Sequence, residues 1–130
     1  MAVGTVARQY PWQVVHYLRK TISSPADRGK VVTVGILPAG ALILKPLSGV
    51  QVITAFTDGT NKLLDIGTSG NDDLFGTDLS LATIAFVPLD EAVSMRVEAD
   101  TTIIATPDLT GTAGVGEAEV VIAYIPDNDG

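Results

Sequence analysis

The chain has no cysteine, a single histidine, a single tryptophan, and aromatic side chains at only 5% of its 130 positions. Without cysteine there is no disulfide framework and no thiolate nucleophile, so stability must come from packing. The lone His16 has no acid near it in sequence, whereas a metal centre or a Ser-His-Asp arrangement needs several partners. None of the six serines sits in a Gly-x-Ser-x-Gly setting. The shortage of aromatics also removes the stacking platform that sugar-binding clefts commonly use. Long apolar runs are missing too. Lys45, Pro46 and Ser48 break the longest one well short of the roughly 18 residues a membrane span needs. The opening MAVGTVARQYPW lacks a basic start followed by an apolar stretch, so no secretory signal is expected.

Bases are scarce, eight against fifteen acids, and the net charge of −7 argues against a nucleic-acid binder held by phosphate contacts. The placement of charge says more than its total. Arg8, Arg19, Lys20, Arg28 and Lys30 fall in the first 30 residues against Asp27 alone, and only Lys45, Lys62 and Arg96 follow. A basic arm thus precedes an acidic body. Such an arm either folds back on its own domain or docks on an acidic neighbour, where charge complementarity sets register.

What is present in abundance is apolar and β-branched residues, 46% hydrophobic overall with a mean hydropathy of +0.35. That is a surplus for a domain of this size, and it reads as contact area with other chains. The stretch 31–56 is the most apolar and is expected to cross the middle of a core, broken by the turn Pro38-Ala39-Gly40. Strands are expected over 13–22, 31–37, 41–44, 50–56, 79–87, 94–99, 101–106 and 117–125. The join 45–49 is either a bulge in one long strand or a corner between sheets. Asp58-Gly59 predicts a hairpin into a strand over 62–67. The segments 67–78 and 107–116 read as loops by composition.

Short strands with turn residues between them and almost no helical period mean an all-β antiparallel sandwich, jelly-roll-like for about eight strands. The domain is expected over 13–125, with an extended N-terminal arm over 1–12 and an acidic tail over 126–130. In the arm, Pro11 holds Tyr10 extended beside Trp12. Trp12 either caps the open end of the core or anchors in a partner's pocket.

Candidate chemistry is thin. Gly70-Asn71-Asp72-Asp73-Leu74-Phe75-Gly76 looks like one calcium-binding nonapeptide, but that architecture works by stacking several copies and there is no second. Asp90 and Glu91 are strand neighbours that point apart, and Glu117 and Glu119 share what is usually a solvent face. Gly111, Gly114 and Gly116 lack the lysine and helix of a phosphate loop. No enzyme, cofactor or metal is expected.

Three passages carry a family resemblance: 35–44 (GILPAGALIL), 52–60 (VITAFTDGT) with 64–68 (LDIGT), and 114–124 (GVGEAEVVIAY). Together they resemble small virion structural proteins of tailed bacteriophages, across most of 31–125. The resemblance implies a jelly-roll-like sandwich that sits on the outer surface of an icosahedral head as a decoration, or cement, protein. Its implied partners are the major capsid protein and itself, as a homodimer or homotrimer, without nucleic acid or membrane. It would be made in the host cytoplasm and end in the virion. The arm residues Arg8, Tyr10 and Trp12, with Arg19, are the candidate partner-binding residues. The other reading is a tail- or fibre-associated binding module on the same fold.

Overall fold

The computed structural model describes residues 15–127. Nine strands, in chain order, build two antiparallel sheets: β1 (His16–Ser24), β2 (Val32–Leu37), β3 (Leu42–Ile43), β4 (Gly49–Thr54), β5 (Lys62–Thr68), β6 (Asn71–Ser80), β7 (Phe86–Pro88), β8 (Thr101–Leu109) and β9 (Gly116–Ile125). The first sheet runs β1-β9-β4-β7, with β3 also on β9, and the second runs β2-β8-β5-β6. Apart from the β5–β6 hairpin, successive long strands alternate between the sheets. That order is the double Greek key of a jelly roll. The expected fold class therefore holds.

Alternation of side chains fills the space between the sheets. Val120 and Ile122 of β9 and Val50 and Val52 of β4 face Leu64 and Ile66 of β5 and Ile103 and Ala105 of β8, all fully buried. Most of this core comes from central strands, β9 above all, which pairs with β1, β3 and β4. The stretch 31–56 is less central than its composition suggests. Its first strand, β2, is an edge of the second sheet and exposes Ile36, with Val31 exposed just before it.

The join 45–49 is a bulge, not a corner. β3 and β4 lie along the same side of β9, and a short 3-10 turn at Lys45–Leu47 bulges out between them. Ser48, fully buried, stitches the bulge down. Its Oγ donates to the Leu44 carbonyl at 2.8 Å and accepts the Ala123 N–H at 2.9 Å. At Gly49 the chain must stay bare, because a Cβ there would run into the Val87 carbonyl of β7.

Five expectations are corrected. Asp58-Gly59 does not turn a hairpin, since β4 and β5 lie in different sheets and 55–61 crosses between them. The segment 67–78 is not a loop. It holds the end of β5, a tight turn and most of the long edge strand β6, whose Asp residues face water while Phe75 and Leu79 pack inward. No continuous strand spans 79–87: β6 ends at Ser80, and β7 begins at Phe86 after a bend. The segment 94–99 contributes only a bridge between Arg96 and Leu42, held by backbone bonds to 40–43. β8 also runs on to Leu109 through Pro107. β2 stops pairing at Ala105, so Pro107 has a strand on one side only, where proline is tolerated.

Candidate contact surfaces and the loop clasp

The sequence candidates are placed as follows. Arg8, Tyr10 and Trp12 lie outside the described residues. Arg19 is on β1, on the outer face of the first sheet, and its guanidinium is paired with Glu119 of the neighbouring β9. That pairing holds the Glu119 carboxyl below the usual carboxylate range. His16 stacks on Tyr124, its register partner, with ring centroids 5.8 Å apart. Asp72 and Asp73 sit on β6, Asp90 and Glu91 pair with Thr77, and Glu117 and Glu119 share the outer face of β9. Among the described residues no group of three or more histidines or acids is placed to hold a metal ion.

Three features were not visible in the sequence. The first is a buried clasp at one end of the sandwich. Asp58, with no exposed surface, lies in the β4–β5 crossing, and Arg28 Nε from the β1–β2 loop approaches its Oδ2 to 2.8 Å. This is a close ion pair rather than an aligned hydrogen bond. Ser24 Oγ donates to the same oxygen at 3.0 Å and lies 3.2 Å from the Gly114 carbonyl. Arg28 Nη2 then donates to the carbonyls of Leu109 and Gly111 at 3.1 and 2.9 Å. Gly111 takes a left-handed φ of +80° to present that carbonyl, a conformation glycine adopts without a steric penalty. One arginine and one aspartate thus tie three loops together. Removing either leaves a charge buried without its partner, which is strongly destabilising.

The second feature is the outer face of the first sheet. Register across β1, β9, β4 and β7 lines up Tyr17 with Ala123, then Arg19, Val121, Gly49 and Pro88, then Thr21, Glu119, Gln51 and Phe86. Leu42 and Ile125 continue the row beyond Tyr17 as a facing pair. Tyr17, Leu42, Phe86 and Ile125 are each at least 41% exposed, which is unusual for side chains of this size grouped on one face.

The third is the outer face of the second sheet, which is richer in threonine and aspartate. Thr33, Thr102, Thr106, Asp65 and Asp108 project there, around the exposed Ile36, the half-buried Leu63 and the nearly buried Ile104. Asp65 accepts the Asp78 N–H at 2.8 Å, in a β6 bulge where Asp78 has a φ of +52°. Burial pushes the Asp65 carboxyl up, the Asp78 N–H partly offsets it, and the charges of Asp78, Asp72 and Asp73 add to the rise. A separate open cleft of about 630 Å³ lies between the β5–β6 turn and the 93–102 segment, with Arg96 and Asp100 on its wall.

No family model and no curated protein matches the chain. Among solved structures it is similar to a chain of the Cyanophage Pam1 capsid asymmetric unit, at 19% identity and a TM-score of 0.68. The likeness covers 93% of this chain and 91% of that one, so the whole sandwich is shared and not a fragment of it. At that identity the likeness establishes the fold.

Proposed function

We propose that this chain is a structural protein of a bacteriophage virion, a non-enzymatic cement that decorates the outer surface of the head. The observation that carries this reading is the end-to-end likeness of its jelly roll to a chain described as part of a phage capsid asymmetric unit. The face chemistry supports it. The apolar outer face of the first sheet, around Tyr17, Val121, Phe86 and Pro88, fits a partner shell, while the Thr- and Asp-rich face of the second sheet suits exposure to water. In this reading the partners are the major capsid protein and further copies of the chain, and the basic arm, with Arg8, Tyr10, Trp12 and Arg19, reaches one of them. Repeated equivalent contacts on a symmetric shell make modest single interfaces sufficient.

The test is a copy count against the major shell protein in purified particles, by quantitative mass spectrometry. Hundreds of copies in a simple ratio are expected. A handful would move the chain to the tail, a fibre or a portal vertex, and none would sink the virion reading. Deleting residues 1–12 is expected to weaken particle binding or self-association. If it changes neither, the arm has no contact role.

A further inference from the structure

The two lateral sides of the sandwich, where the sheets end, carry opposite charge. On one side β1 lies beside β2, and on the other β7 lies beside β6. Residues 15–37, which hold β1 and β2, carry Arg19, Lys20, Arg28 and Lys30 against Asp27 alone. Arg19 and Arg28 are engaged internally by Glu119 and Asp58. Lys20 and Lys30 are exposed and make no ion pair among the described residues. Residues 71–91, which hold β6 and β7, carry Asp72, Asp73, Asp78, Asp90 and Glu91 and no lysine or arginine. The bases closest along the chain are Arg96, which is paired with Glu98 and Asp127, and Lys62, whose carbonyl accepts the Leu81 N–H.

Each side also offers apolar surface. Val31, next to Lys30, is 61% exposed, and Ile84, in the bend between β6 and β7, is 63% exposed. Among the described residues all four edge strands pair on one side only. Lysine or aspartate on an edge strand ordinarily keeps copies apart. Here that rule blocks only like against like. Two β1/β2 sides repel through their lysines, and two β6/β7 sides repel through their aspartates. A basic side against an acidic side is the one complementary pairing, with apolar groups to bury once the charges have aligned it.

We propose that a second copy of this chain docks its β6/β7 side on the β1/β2 side of the first. The contact is head to tail, so each docked copy still presents one free basic and one free acidic side. Such contacts close as a ring of three copies or more, or run on as an open chain where the rotation between copies does not close. The inference deepens the self-association in the reading above and needs no phage head. A chain that fails to form rings therefore leaves the particle copy count untouched.

Native mass spectrometry and sedimentation velocity of the full chain, at low and high salt, test it with two charge-reversed variants. The wild type is expected as a trimer or larger ring that weakens as salt screens the exposed charges. Lys20→Glu with Lys30→Glu, and separately Asp72→Lys with Asp73→Lys, are each expected to weaken assembly by more than about tenfold. Mixed together, the two variants are expected to form complexes containing both, because every docking contact between unlike chains is again complementary. A wild type that stays monomeric, or that stops at a dimer, overturns the proposal. So do variants that assemble like the wild type, or a mixture that makes no joint complex. If a variant unfolds, the wild type alone decides: salt-independent assembly contradicts the proposal, and salt-sensitive rings support it.

Discussion

The two outer faces of this sandwich share one backbone geometry and differ in the size of their exposed apolar groups and in their acid content. Above β9 and β4 the outward positions hold Val121, Ala123 and Gly49 beside Gln51, Thr54 and Glu117, with Tyr17, Phe86 and Pro88 on the flanking strands, and the charged pair Arg19–Glu119 is satisfied within the face. Above β8 and β5 they hold Thr102, Thr106, Asp65 and Asp108 around the less exposed Leu63 and Ile104, and Asp65 is crowded by like charge. A solvated sheet needs only the second kind of face. The first kind leaves large apolar groups in water, a cost that a docking partner removes at about 25 cal/mol for each Å² it covers. In the function proposed above, a partner covers the first face and water the second.

The comparison presumes that the faces are held in fixed relation, and the Arg28–Asp58 clasp is the place to break that. Arg28→Met leaves Asp58 buried and unpaired and is expected to cost about 3–5 kcal/mol in chemical denaturation. A loss within about 0.5 kcal/mol would show that the three loops are held by packing alone. Ser48→Ala is expected to cost about 1–3 kcal/mol, because the Ala123 N–H loses its acceptor at a buried site.

Next in size is the face itself. Val121→Arg is expected to weaken binding to particles by more than about tenfold, with stability shifted little because the site is on the surface. Thr102→Arg, on the opposite face, is expected to leave binding unchanged. Equal effects from the two would end the distinction.

The smallest effect is on acid titration, where the faces should respond with opposite sign. Glu119 is held low by Arg19, so its stabilisation is complete above the ordinary carboxylate pKa and fades as pH falls through the lowered value. Asp65 is pushed up by burial, so its ionised form costs stability at neutral pH, and protonation relieves that cost as pH falls through the raised value. Denaturation midpoints measured across the acid range are expected to show Glu119→Gln losing the first dependence. Asp65→Asn is expected to be more stable than wild type at neutral pH and to lose the second. If both variants kept the wild-type slope, neither pairing would persist in solution.

Much of the fold was legible because β9 and β4 show it locally. Alternation at 117–125 and the β-branched run at 50–56 follow directly from one buried face. The misread elements depend on residues far away in sequence. Asp58-Gly59 has the composition of a hairpin tip, yet Arg28, thirty positions earlier, pulls Asp58 inside. Asp72, Asp73 and Gly76 read as a loop because an edge strand with a wet face is often as polar as a loop, and bulges break its period of two. The exposed apolar face was legible only as an excess of apolar residues. Its position depends on register across β1, β9, β4 and β7, which no single segment encodes. Of the four residues singled out for partner binding, Arg19 does lie on that face, and it is committed to Glu119.

Because the chain has no cysteine, single substitutions can report the two faces one at a time. Thr54→Cys on β4 and Thr102→Cys on β8 both replace exposed threonines, on opposite outer faces. The decisive measurement is maleimide labelling of each variant, free and bound to purified heads. The account predicts that both label when free, and that on the particle Thr54→Cys is shielded while Thr102→Cys still reacts. Equal labelling of both on the particle, or shielding of Thr102→Cys alone, would contradict it.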